Sequence, residues 1–306
     1  MHPAVSVIFF TVTSGAGFGA MALIGLGYPL GGNAPVQFLA CAAAGSLALA
    51  GLVSSTFHLG HPERAWRALS QWRSSWLSRE GVLAIAALAV FGLHVLAWLL
   101  SGRHVAVLGW TAAFLSLATI FATAMIYAQL KTVPQWNSAW TPPVYMGFGL
   151  ATGFLLVASA GRPETLLGVP VALVAMVAVL AAWSLKVAWW QAAANATLAS
   201  RGMTRESATG LGFIGEARLL ERPHSGGSYL TREMVYRIGR KHARKLRSIA
   251  LVLGGLLPLA ICALVGILGL ANPVLLVALA AMMAGLFVER WLFFAEAKHS
   301  VALYYE

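Results

Sequence analysis

The protein has 306 residues, 59% of them apolar and only 10% charged, and its mean hydropathy is +0.77. An ordinary globular domain carries about 25% charged residues, so a water-soluble two-domain enzyme is excluded and the question becomes how many times a bilayer is crossed. The net charge of +11 sets 21 Lys and Arg against ten acids, all of them Glu. Two cysteines in separate apolar stretches, Cys41 and Cys262, are too few for a four-cysteine zinc or iron–sulfur site.

A spanning helix needs about 20 apolar residues to cross about 30 Å of hydrocarbon, so uncharged gaps count the spans. Residues 1–62 carry no charge but are broken at Gly27–Pro35, which predicts two helices joined by a tight loop. No Lys or Arg precedes the first apolar run, which argues against a cleaved signal peptide. Within that run Gly15 and Gly19 have the spacing of close helix packing. Residues 81–100, 105–130, 144–160 and 165–185 predict four more helices. Residues 248–288 are uncharged and broken at Asn272-Pro273, giving a seventh helix and an eighth that runs on to about His299. The expected fold is an all-α integral membrane protein with eight transmembrane helices, since runs this continuous are not the alternating strands of a barrel.

Short loops rich in Lys and Arg stay in the cytoplasm. Eighteen of the 21 lie on the side shared by both termini and the loops after helices 2, 4 and 6, counting Lys186 as the start of the last loop. The opposite side holds Arg103 and Arg162, and Arg290 falls inside helix 8. Both termini are therefore expected in the cytoplasm. Residues 1–306 read as a single membrane domain, with 193–247 a basic cytoplasmic loop between helices 6 and 7. Its last stretch, Arg240 to Arg247, is either a topology anchor on anionic lipid or a docking surface. Thr231 to Tyr236 is expected to open a short helix, and Trp183, Trp189, Trp190, Trp291, Tyr304 and Tyr305 to form an interfacial belt.

The chemistry-bearing segment joins helices 2 and 3. His58 ends one span and Glu80 opens the next, so two titratable groups flank the membrane boundary on one side. Such a pair suits proton exchange with a lipid-soluble redox carrier, because both groups tune toward neutrality on partial burial. The alternative is that Glu80 caps helix 3 after Ser78 and His58 closes helix 2. The loop after helix 4 carries Trp136 and Trp140 between three prolines, a stiff platform for interface anchoring or for a docked protein. Glu289 and Arg290 lie in the cytoplasmic third of helix 8, where sequence neighbours do not face each other and each is expected to find a partner on another helix. Of the eight histidines only His94 lies well inside a span, and His104 falls on the wrong turn to pair with it, so no haem is expected.

Five segments in one order resemble the DmsC family, the membrane-anchor subunits of dimethyl-sulfoxide-reductase-type molybdoenzymes. They are Met1-His2-Pro3 with Ser6 to Thr11, His58-Leu59-Gly60 with Pro62, Arg64 and Ala65, Leu77-Ser78-Arg79-Glu80, Thr132-Val133-Pro134 with Trp136, Trp140, Thr141 and Pro142, and Arg290 with its following aromatics. The resemblance implies a subunit without metal that anchors a molybdopterin catalytic subunit and a four-cluster iron–sulfur subunit in the bacterial inner membrane. Such a subunit exchanges electrons with a quinone, ubiquinone or menaquinone. It also places quinone-site function on His58 and Glu80. Arg64 and Arg79 are then expected to orient Glu80 or else to bind lipid or the partner, and Trp72, Trp136 or Trp140, with several Arg, to contact the iron–sulfur subunit. The partners implied are those two subunits and the lipid bilayer, with no nucleic acid. The uncharged loop after helix 1 and the four Arg in the loop after helix 2 depart from the dimethyl sulfoxide reductase anchors. With the long basic loop and the end of helix 8, they look like the anchor of a cytoplasmic sulfite-oxidising molybdoenzyme. A quinol-oxidising dimethyl-sulfoxide-reductase-type anchor, a di-haem b cytochrome and a non-redox transporter or scaffold are the competing classes.

Overall fold

The computed structural model describes residues 4–28, 30, 33–160, 165, 166, 168–221, 223, 226 and 242–305. Its frame is eight helices, each long and apolar enough to cross a membrane. We number them α1 (Val5–Gly25), α2 (Ala34–Ser54), α3 (Trp76–Ser101), α4 (Ala106–Ala128), α5 (Thr141–Ser159), α6 (Val171–Asn195), α7 (Ala243–Leu268) and α8 (Leu275–Ala295). A two-residue antiparallel pair, Thr165–Leu166 with Val169–Pro170, sits between α5 and α6. The segment before α7 includes a one-turn helix, Arg205–Thr209. Met1 to Pro3, Arg162, Thr231 to Tyr236 and the first two residues of the basic run Arg240 to Arg247 lie outside the described residues.

Local chemistry sets the helix ends. Asn33 accepts from the Val36 amide and Pro35 occupies the first turn of α2. Ser75 accepts from the Ser78 amide, so α3 starts at Trp76, earlier than the uncharged gap predicts, and brings Arg79 and Glu80 inside the helix. Gly102 closes α3 at φ +68°, a conformation that favours glycine.

α1 is the axle of the bundle, packed against α2, α4, α5 and α8. Its glycines do what their spacing predicts. A Cβ on Gly19 would lie 1.9 Å from the Gly149 carbonyl oxygen, and one on Gly17 would lie 2.3 Å from the Ala48 nitrogen. Only bare backbones approach so closely. α7 contains a π turn at Val252–Leu256, where the Trp183 indole donates to the Gly254 carbonyl at 2.6 Å and Gly254 rests on Gly285. Trp183, Trp189 and Trp190 are therefore buried in the bundle, which corrects the expectation that they belong to an interfacial belt.

Two arrangements position the site. α2 packs on α1 and α3 packs on α4, while α2 and α3 scarcely touch each other. The turns Ser55–His58 and Pro62–Gln71 lead from α2 to α3, with Leu69 lying against Gly81 of α3. After α8 the backbone folds back over the same end of the bundle, where Ser300 donates to the Thr132 carbonyl at 2.9 Å and Lys298 to the Gln135 side chain at 3.2 Å. His299 accepts from the Val301 amide there, and burial pushes its imidazole below the ordinary value.

Candidate functional site

Glu80 is only 4% exposed, although it sits one turn inside α3. The capping alternative fails, because Ser75 holds the cap and the Glu80 carboxylate reaches across to α4, where the Thr123 hydroxyl donates to it. The Thr119 carbonyl lies 3.0 Å from the same hydroxyl and shares its single proton, which holds the hydroxyl against its own helix. A buried carboxyl with one hydroxyl partner is equipped to hold or release a proton.

Beyond Thr123 lies a cavity of about 20 Å³ enclosed by α1, α4, α5 and α8, with Thr11, Ser14, Tyr145 and Arg290 on its wall. That is room for one water, which needs about 10–15 Å³ of such volume. Two guanidinium nitrogens of Arg290 are buried there beside the Tyr145 hydroxyl. The third, Nε, donates to Glu289 at 2.6 Å, so these sequence neighbours do bond to each other, contrary to the helix-face argument. An arginine side chain is long enough to turn back along its own helix. Glu289 also pairs with Lys186 of α6 at 2.5 Å.

Lys186 departs furthest from the sequence expectation. Charge counting puts it at the start of the basic loop, yet it lies within α6 and is fully buried. The triad Lys186, Glu289 and Arg290 carries one more positive than negative charge, and aromatic faces surround it. The Lys186 ammonium is 3.6 Å from the Trp189 ring centroid, and the Arg290 guanidinium carbon is 4.1 Å from that of Tyr145. Ring quadrupoles attract cations most strongly where water is excluded. The signal in the sequence is Lys186 followed at three and four residues by Trp189 and Trp190, a helix-face neighbourhood that charge counting ignores.

The other expected site residues are scattered. The backbone of His58 closes its turn, while its side chain lies outside the described residues. Arg79 donates to the carbonyls of Trp72 and Arg73 at 3.0 and 2.7 Å, and Arg64 lies 3.7 Å from Glu63. Neither arginine is placed to orient Glu80. Trp72 and Trp140 are exposed, as expected of docking residues. Trp136 is not: it is buried, stacked on Phe293, and donates to the Phe293 carbonyl at 2.8 Å. Trp66, which carries no signal of its own in the sequence, is 67% exposed beside Arg67. Among the described residues no group of three or more His, Cys or Glu is placed to hold a metal ion.

Among the described residues, eight helices long and apolar enough to cross a bilayer fit a multi-pass membrane protein. The DMSO reductase anchor subunit (DmsC) family matches residues 1–295, and the protein belongs to it. It is 34% identical to the C subunit of sulfite dehydrogenase from Allochromatium vinosum over 331 aligned residues, covering 100% of this sequence and 99% of the relative. It is also 34% identical to the C subunit of anaerobic dimethyl sulfoxide reductase from Escherichia coli, over 36% of this sequence and 41% of that one. No solved structure matches. The protein is thus an anchor subunit of a dimethyl-sulfoxide-reductase-type or sulfite dehydrogenase complex.

Proposed function

We propose that this subunit passes electrons between a cytoplasmic iron–sulfur subunit and membrane quinone, in a three-subunit molybdoenzyme that oxidises sulfite to sulfate. The observation that carries the quinone assignment is the buried Glu80–Thr123 contact between α3 and α4, one turn from the α3 cap. Quinone, when bound, takes up two electrons with two protons, and the residues around it must manage those protons. Glu80 holds a proton at its carboxyl; Thr123 fixes the carboxyl's direction; His58, at the end of the turn after α2, supplies the second hydrogen-bonding group. The cavity beyond Thr123 accommodates a water between that hydroxyl and Arg290, so the Arg290 charge acts on the carboxyl through a short polar path. Sulfite is favoured over a sulfoxide by the full-length similarity to the sulfite dehydrogenase anchor.

Both termini and the Glu80 end are assigned to the cytoplasm. Moving Lys186 out of the loop lowers the basic count on that side by one and leaves the imbalance intact. The iron–sulfur subunit docks there, on the exposed Trp66, Trp72 and Trp140 and the arginines among them, with Trp136 supporting the platform from beneath. Reporters fused at residue 306 and near Gly102 are expected to signal opposite sides, and same-side signals would end the cytoplasmic assignment. In the assembled complex Glu80→Gln, which keeps the shape of the side chain, is expected to preserve sulfite oxidation by a soluble artificial acceptor while lowering quinone reduction by about 100-fold, the low end of a general acid–base contribution. If Glu80→Gln and His58→Ala complexes both reduce quinone at the wild-type rate, the site lies elsewhere.

A further inference from the structure

At the opposite end of the bundle a cavity of about 410 Å³ opens between the C-terminal end of α1 and the α3–α4 turn. Its wall includes Ile24, Tyr28, Leu30, His94, His104 and Trp110. The volume is in the range of small-molecule sites, roughly 300–1,000 Å³, and far above the single-water space near Arg290.

Two polar groups on this wall are stranded. His94 is 3% exposed, and among the described residues its ring nitrogens meet no side-chain partner, with only the Val105 backbone close by. The Tyr28 hydroxyl is also buried with no side-chain partner among the described residues. Buried polar groups in proteins are nearly always satisfied, so orphaned groups that share one cavity point to something that satisfies them. The backbone holds the arrangement firmly. A Cβ on Gly25 would lie 2.3 Å from the Gly109 carbonyl oxygen, and one on Gly109 would lie 3.1 Å from the His94 ring. His104, expected to be out of reach of His94, comes back over the end of α3, with ring centroids 5.5 Å apart and its own ring stacked on Trp98.

We propose that this cavity is a second binding site, for the head of a neutral ring amphiphile of the quinone class, at the membrane face opposite Glu80. A neutral imidazole offers one donor and one acceptor, and a tyrosine hydroxyl offers both. They can donate to ring carbonyls and accept from ring hydroxyls, so oxidised and reduced rings are both satisfied. The aromatic and aliphatic wall matches a planar apolar ring, and among the described residues the lining includes no Lys, Arg or Glu to attract a charged ligand. The inference takes from the proposed function only the identity of the ring; the place rests on the cavity and its orphaned groups.

The test is photolabelling of the purified complex with a tail-bearing azido-ubiquinone analogue, with labelled peptides located by mass spectrometry. Label is expected both around residues 55–80 and around residues 24–30 or 94–110. His94→Leu with Tyr28→Phe is expected to lower the second label by about tenfold, one hydrogen-bonding pair's worth of affinity, and to leave the first unchanged. The first label also reports that the variant has folded, and His94→Gln, which keeps hydrogen-bonding capacity, is expected to retain more of the second label. Absence of label at 24–30 and 94–110 in the wild type overturns the proposal. So does a second label that the double variant does not lower, or one that phospholipid alone displaces, since the cavity then holds lipid or water only. Loss of the first label in the wild type would instead count against the quinone site at Glu80.

Discussion

The two ends of this bundle handle buried polarity in opposite ways. At the Glu80 end, Lys186, Glu289 and Arg290 lean on one another and on the faces of Trp189 and Tyr145, and the space left beside them fits one water. At the other end, His94 and Tyr28 have no side-chain partners among the described residues, and the space beside them is about 410 Å³. The first arrangement resists change, because each charge depends on its neighbours. The second is shaped around something the protein does not itself supply. A low-dielectric interior keeps polar groups on either of these terms: packed against one another at the Glu80 end, or beside open space at His94.

Breaking the packed end should cost most. Lys186→Met leaves Glu289 with one fewer partner and is expected to destabilise the subunit by about 3–5 kcal/mol, read as a lower midpoint in detergent unfolding. Lys186→Met with Glu289→Leu should recover much of the loss, because it removes the charge that would be left unpaired. Trp136→Ala is expected to cost a similar amount, about 3–5 kcal/mol, as a buried aromatic truncation. That outcome would separate Trp136 from Trp72, whose exposed ring should leave stability unchanged.

Thr123→Val comes next. It strips the Glu80 carboxyl of its hydroxyl partner while keeping side-chain volume, and is expected to cost about 1–3 kcal/mol and to slow quinone reduction without altering sulfite oxidation by a soluble acceptor. Trp66→Ala or Trp72→Ala should act only on assembly, weakening co-purification of the iron–sulfur subunit by about 1–2 kcal/mol if either ring is an interface anchor. The smallest stability effect is expected at the other end, where His94→Leu removes an unsatisfied group and should leave the unfolding midpoint unchanged or slightly raised. A large loss there would mean that His94 is part of the scaffold, and the contrast between the ends would disappear.

The spans are legible because charge is so scarce that each uncharged gap marks a helix, and the Gly15–Gly19 contact because small residues at that spacing have few other uses. The same counting misplaces Lys186, since it treats every lysine as the end of a span and cannot see a partner on another helix. Proximity in sequence assigns Arg64 and Arg79 to Glu80, but the Ser75 cap starts α3 early and turns Glu80 inward, away from both. Thr123 carries no sequence signal, because one threonine in an apolar helix usually bonds its own backbone, as this one also does. The approach of His104 to His94 is hidden because depth along a helix says nothing of a loop that folds back over its end.

Whether Glu80 changes its protonation as quinone is reduced is most directly read by redox-induced infrared difference spectroscopy on the assembled complex in membranes. The wild type is expected to show a carboxyl band that responds to quinone reduction, is absent in Glu80→Gln and shifts in Thr123→Val. Identical difference spectra from all three would contradict a proton-handling role for Glu80.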